Sequence, residues 1–401
     1  MRIAIPCGLE QIHIEIAESN LVGVRRAPIA PGIADVPAAI GTALETPIGF
    51  PALLRALTPD DHVVIVVDEH LSRLGELLVP ILEHITLAQV APEAITLLCP
   101  PGSVAQPWLD NLPEAFEEIR LEVHDPTDRN HLSYLATTRK GRRLYLNRTM
   151  VDANQVIVLT GRGYDPLLGY SGAETAIYPA MSDEATRLEG CDKMSMAAPG
   201  PAPRSLQREA AEVAWHLGVP FLVQIIEGAD GEIIHVLAGP VETSGEGQRL
   251  LDERWRVEVD APADIVLAGM GGDPACHGFD ELARAFACAA RVVKPQGKIV
   301  VLSAAQPDLG KEADWLRQAD DPGTVLHALH QHKTPDLQSV FLWASAAQQA
   351  SLYLLSRLPA EIAEELFTIP LNSADEVQRL VAGQASCLVL PDAHKTMAIL
   401  R

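Results

Sequence analysis

Short, unbroken apolar runs recur along this chain: His62-Val-Val-Ile-Val-Val-Asp68, Ala94-Ile-Thr-Leu-Leu-Cys99, Gln155-Val-Ile-Val-Leu-Thr160, Asp264-Ile-Val-Leu-Ala268, Lys298-Ile-Val-Val-Leu302 and Cys387-Leu-Val-Leu390. A strand with one wet face alternates apolar and polar residues, whereas a strand covered on both faces does not. Helical stretches such as Arg73 to His84, Asp280 to Val292 and the capping-box start Ser373-Ala-Asp-Glu376 fall between these runs. Strands alternating with helices predict α/β layers with substantial parallel sheet.

Other segments carry different patterns. Gln11-Ile-His-Ile-Glu-Ile16 alternates strictly, so Ile12, Ile14 and Ile16 face inward and His13 faces solvent. Residues 17–48 are rich in Pro, Gly and Ala and read as irregular. Ile119 to His124 reads as a further strand. Arg143-Leu-Tyr-Leu-Asn147 is expected to complete the same sheet nucleus as Val156 to Leu159. Phe221 to Ile226 and Glu232 to Leu237 flank Ala229-Asp-Gly231, a hairpin signal because Asp-Gly tolerates positive φ. Leu352 to Ser356 is a strand of the later block. Length and the restart of the pattern predict two domains, 1–260 and 261–401.

Composition excludes some functions. A net charge of −22 argues against nucleic acid or any other polyanion as partner, because phosphate neutralisation needs clustered Lys and Arg. The first residues lack the apolar core of a signal peptide and no run is long enough to span a bilayer, so a cytoplasmic protein without membrane contact is expected. The six cysteines, Cys7, Cys99, Cys191, Cys276, Cys288 and Cys387, contain no C-x-x-C pair, which argues against a disulfide framework or zinc ribbon. A homo-oligomer is left open.

One segment concentrates chemistry. After the run ending at Thr160 come Gly161-Arg-Gly163 and then Tyr164-Asp-Pro-Leu-Leu-Gly-Tyr-Ser-Gly-Ala-Glu-Thr-Ala-Ile-Tyr-Pro179. A glycine-bearing loop between a buried strand and a helix start would cradle an anion on its N–H groups. Arg162 lies between two glycines, which lets the backbone approach a ligand closely. Tyr170, Ser171 and Gly172 form the loop itself. They read as an anion-binding loop or as an ordinary strand-to-helix turn.

His124-Asp-Pro-Thr-Asp128, Gly141 to Arg148, Val151-Asp-Ala-Asn154, Gly169-Tyr-Ser-Gly172, Gly271-Gly-Asp-Pro274 and Leu390-Pro-Asp392 follow in that order. Together they resemble the lactate racemase (LarA) family of nickel-pincer-nucleotide enzymes. The resemblance implies two α/β domains with an interdomain cleft holding the cofactor. It also implies racemisation or epimerisation of a small 2-hydroxy acid or sugar acid, by hydride abstraction at the α-carbon and return to the opposite face.

The same resemblance assigns residues and exposes departures. The family's loop reads Ser-Gly-Gly-x-Lys-x-x-x-Pro-Gly, its lysine carrying the cofactor covalently. Here Thr175 stands at the lysine position, so a cofactor would be non-covalent or absent. Asp165 stands at one catalytic histidine position, and Cys99-Pro-Pro-Gly-Ser103 offers no histidine for the other. Asp165 and His70 are then the nearby bases, Cys191 the nearest metal ligand, and Arg284 the match to the family's substrate-binding lysine. Asp68 and Arg73 correspond to an acid and an arginine that hold the nucleotide; alternatively Asp68 caps a helix and Arg73 is a surface residue. A catalytically silent small-anion-binding protein on the same scaffold is the alternative function. Cys276 and His277 are adjacent potential ligands, too few by themselves for a metal site.

Overall fold

The computed structural model describes every residue except 27, 29, 104, 105, 139 and 140. The chain forms two compact units, each α/β. One comprises Ala30–Glu189 and Pro201–Leu251, the other Met1–Ile29, Gly190–Gly200 and Asp252–Arg401. The chain thus enters the second unit first and returns to it finally at Asp252, eight residues before the sequence-based boundary at 260.

The unit built around Ala30–Glu189 carries a six-stranded sheet. Its order is Ile233–Gly239, Phe221–Glu227, Gln155–Gly161, Val63–Val67, Ile95–Cys99 and Arg120–Val123. All neighbours are parallel except the Phe221–Glu227 and Ile233–Gly239 hairpin, whose turn includes Gly231 at φ 78°. Each residue of Val63–Val67 is buried, as a run without alternation requires. The edge strand Arg120–Val123 is mostly exposed.

The helix Leu74–Leu87 covers one face with Leu77, Leu78, Ile81 and Ile85, and contains Pro80. Beside it lies Val36–Glu45, a helix inside the stretch read as irregular. Composition hid it, yet its start is chemically marked. Asp35 accepts the N–H of Ala38 at 2.9 Å, Pro37 sits in the first turn, and Val36, Ile40 and Leu44 repeat every four residues on the buried face. The same stretch also holds the strand Leu21–Val24. A second correction concerns Arg143–Asn147. It pairs with Leu132–Thr137 in a separate antiparallel ribbon and not with the main sheet.

The other unit holds an eight-stranded sheet. Thr368–Leu371, Ser351–Leu355, Val293–Leu302, Ala263–Gly271, Cys387–Leu390 and Leu21–Val24 run parallel in that order. Arg2–Gly8 joins the far end of Ala263–Gly271 and pairs antiparallel with Glu10–Glu15. Ile299 and Val301 face a core containing Phe286 and Trp343, whereas Val300 and Leu302 face one containing Ile5, Ile14 and Ile16. Both sides of this strand are therefore dry, which is why its sequence does not alternate. Among the described residues no helix is long and apolar enough to cross a membrane.

Candidate functional site

The chemistry-bearing loop begins where Gln155–Gly161 ends, at the carboxyl edge of a parallel sheet, the edge at which open α/β sheets bind ligands. Asp68 leaves the neighbouring strand at the same edge. Its Oδ2 accepts the N–H of Gly161 at 3.0 Å and its Oδ1 that of His70 at 3.1 Å. Asp68 therefore ties two strand ends together. His70 is an exposed turn residue. Arg73 is engaged with Glu76 one turn along its helix.

Beyond Arg162 the chain folds into a small ribbon, Gly163–Asp165 against Gly169–Ser171, with Tyr164 opposite Tyr170 and their rings 5.8 Å apart. Asp165 shapes the bend of this ribbon. Its Oδ1 accepts the N–H groups of Leu167 at 2.7 Å and Leu168 at 2.6 Å, an Asx turn. Ser171 is partly buried at the ribbon's end, and its Oγ lies against the α-carbon of Gly163.

Gly172 then takes φ 79° and ψ −177°, a conformation that only glycine adopts readily. A side chain there would meet the Gly161 carbonyl oxygen at 2.1 Å. This close approach lets Ala173 donate its N–H to Thr160 Oγ1 at 2.8 Å. The expected helix is only the single 3-10 turn Ala173–Ala176. It is too short for a helix dipole, so anion binding there cannot rest on one. Thr175 is buried, and its hydroxyl donates to the Gly172 carbonyl at 2.8 Å.

Arg162 is a buried cation at the end of the strand. It is 7% exposed, and Nε, Nη1 and Nη2 are all buried without a hydrogen-bond partner. Its main-chain N–H is fixed to the Ile225 carbonyl at 2.8 Å. Burial pulls the guanidinium below its ordinary pKa, while the charges of Glu174 and Tyr170 oppose that shift. It stays a cation, since guanidinium starts so high. Glu174 is 3% exposed, and its Oε2 is likewise buried and unpartnered. Gln224 is fully buried with its Oε1 unpartnered. Sequence reasoning singled out Arg162 and missed Gln224. An isolated Gln inside an apolar strand was the available signal.

The family motif around His124 is structural here. Asp125 accepts from both the N–H and hydroxyl of Thr127, and Asp128 caps a short turn. His124 is buried with Nε2 2.9 Å from the Ser182 carbonyl. Burial lowers its pKa.

In the other unit, Cys191 is buried in the Gly190–Gly200 segment. Arg284 lies on the helix Phe279–Ala290 beside Glu281. The sequence did not reveal that His277 meets His394: both are buried, their ring centroids are 4.9 Å apart, and each Nδ1 is unpartnered. Cys276 beside them is exposed. Among the described residues no group of three His, Cys, Asp or Glu side chains is placed to hold a metal ion.

Residues 7–193 match the model of the lactate racemase N-terminal domain family. Lactate racemase from Thermoanaerobacterium thermosaccharolyticum is 22% identical over 353 residues, covering 82% of this chain and 80% of that protein. The apoprotein structure of lactate racemase from that organism superimposes with a TM-score of 0.81 at 18% identity, over 100% of both chains. A Thermotoga maritima protein of solved structure matches with a TM-score of 0.67 at 12% identity, over 93% of this chain and 100% of that one.

Proposed function

From membership of the lactate racemase family, carried by the N-terminal domain over residues 7–193, we propose that this chain captures a small 2-hydroxy acid or sugar acid by its carboxylate. Arg162 is the anchor. The observation that carries this reading is its buried guanidinium, all of whose nitrogens lack partners. A buried guanidinium without hydrogen-bond partners is costly, and a planar carboxylate offers the bidentate partner that guanidinium geometry fits. Tyr170, Ser171 and Gly172 bring the loop against the strand end that presents Arg162.

The family is nickel-cofactor dependent, and the residues here do not fit its covalently linked pincer nucleotide. Thr175 has no amine, and its hydroxyl is already committed to the Gly172 carbonyl. Glu174 adds a buried negative charge to the loop where a phosphate would have to lie. Racemisation or epimerisation of the captured acid is the family chemistry. The second reading is a catalytically silent anion-binding protein, and the commitment of the Thr175 hydroxyl favours it. In neither reading is Asp165 free to serve simply as a base, since two N–H groups occupy its Oδ1.

The test is calorimetric titration of the full chain with D- and L-lactate, alongside Arg162→Lys. That variant keeps the charge and loses the bidentate fork. Wild-type binding that falls at least tenfold in the variant supports the anchor. Equal affinity in both proteins rejects it. Chiral chromatography of the bound acid, with intact-mass measurement after co-expression with cofactor-making enzymes, separates turnover from silent binding. An unmodified mass with no inversion is the silent outcome.

A further inference from the structure

Arg162 does not stand alone. Its donors are matched by two buried acceptor oxygens that also lack partners, Glu174 Oε2 and Gln224 Oε1. Gln224 is the register partner of Thr160 on the adjacent parallel strand, two residues before Arg162. Glu174 belongs to the turn that Thr160 holds through the N–H of Ala173. That turn packs on both strands.

The orientation of the Gln224 amide follows from its neighbours. Thr243 Oγ1 donates its proton to the Pro240 carbonyl at 2.7 Å, so it can only accept at Gln224 Nε2, 3.0 Å away. Oε1 therefore points the other way. A Cβ on Gly247 would stand 2.1 Å from that oxygen and 3.5 Å from Arg162 Nε, so both atoms flank the same glycine. Glu174 and Arg162 interact electrostatically without a hydrogen bond between them. One planar cation thus has two separate unpartnered acceptors in its neighbourhood, and none of the three groups hydrogen-bonds to another.

We propose that Arg162, Glu174 and Gln224 form a site for a polyhydroxylated carboxylic acid, a sugar acid, whose carboxylate takes the guanidinium and whose hydroxyl groups donate to Glu174 Oε2 and Gln224 Oε1. This rests on the carboxylate reading of Arg162 and goes beyond it. A simple carboxylate satisfies the cation and leaves both acceptors dry. A monohydroxy acid satisfies one of them. Leaving a buried acceptor unpaired is what discriminates most strongly between otherwise similar ligands.

The experiment is a ladder of probes on the full chain by calorimetry: propionate, lactate and glycerate, which differ by successive hydroxyl groups. Affinity is expected to rise about tenfold at each step. In Glu174→Gln, which keeps the side-chain shape, and independently in Gln224→Met, the ratio of glycerate to propionate affinity is expected to fall about tenfold. Equal affinity for the three acids in the wild-type chain, or a ratio preserved in both variants, overturns the proposal. If propionate binding depends on Arg162 but the ladder is flat, only this inference fails. If Arg162→Lys leaves all three acids bound as before, the carboxylate reading fails with it.

Discussion

At the scale of single residues, the loop after Thr160 brings a few coupled side chains together. Next to Thr175, whose hydroxyl is held by the Gly172 carbonyl, Glu174 brings a charge that Arg162 feels. Removing one member of such a buried pair strands the other, whereas removing both relieves the desolvation of each. Arg162→Met is expected to lower stability by about 3 kcal/mol, and adding Glu174→Gln is expected to recover most of that loss. Urea unfolding of the four proteins in this cycle measures it, and strictly additive effects would show that the two charges do not interact. Arg162 was legible in the sequence, because an arginine between two glycines at a strand end is an uncommon local pattern. Gln224 was not, because nothing local marks a strand glutamine as the neighbour of a loop some sixty residues earlier.

At the scale of elements, the strands were legible because burial on both faces writes itself as unbroken apolar sequence. Val63–Val67 and Cys387–Leu390 are examples. The loop after Thr160 was read as opening a helix, and it does not. Its shape is set by contacts across the sheet edge: Asp68 on Gly161, Thr160 on Ala173, and Gly172 against the Gly161 carbonyl. Gly172→Ala should therefore be one of the most damaging conservative changes in the chain. It combines a glycine-only backbone conformation with a collision against main chain, and a loss of about 2–4 kcal/mol is expected. A thermal melt unchanged by this substitution would show that the loop rearranges at little cost. The Val36–Glu45 helix was missed for the opposite reason. Proline and alanine in its surroundings masked a well-formed start at Asp35.

At the scale of the whole molecule, buried neutral histidines link both units to pH. His394 lies well below the ordinary imidazole pKa through burial, and next through the charges of Lys395, His277 and Arg284. Burial also lowers His277, against the opposing influence of Glu281, the Gly271 carbonyl and Asp273. In the other unit, burial lowers His124. A lowered folded-state pKa means that the unfolded chain binds more protons between the two values. Stability is therefore intact above pH about 6.5 and falls as pH drops from there toward the folded-state values, by up to about 1.4 kcal/mol per pH unit for each group. Urea midpoints measured from pH 7.5 to 5 should decline, and His394→Phe should flatten the decline. A slope unchanged in that variant would remove His394 from the account. Cys7, Cys99, Cys288 and Cys387 add no such sensitivity. Burial pushes the thiols of Cys7 and Cys288 up to about 11 and those of Cys99 and Cys387 up to about 12, which holds them protonated and inert.

The amino-acid sequence by itself determined the α/β class, most of the strands and the resemblance to the lactate racemase family. Each of these is carried by local pattern: burial period, turn chemistry, or the order of short motifs. Only the tertiary structure decided that strands at both ends of the chain share one sheet, that His277 meets His394, and that Arg162 and Gln224 flank Gly247 while Glu174 acts on the same cation. These are meetings of residues distant along the chain. They are fixed by which strand lies beside which, a property no local window contains.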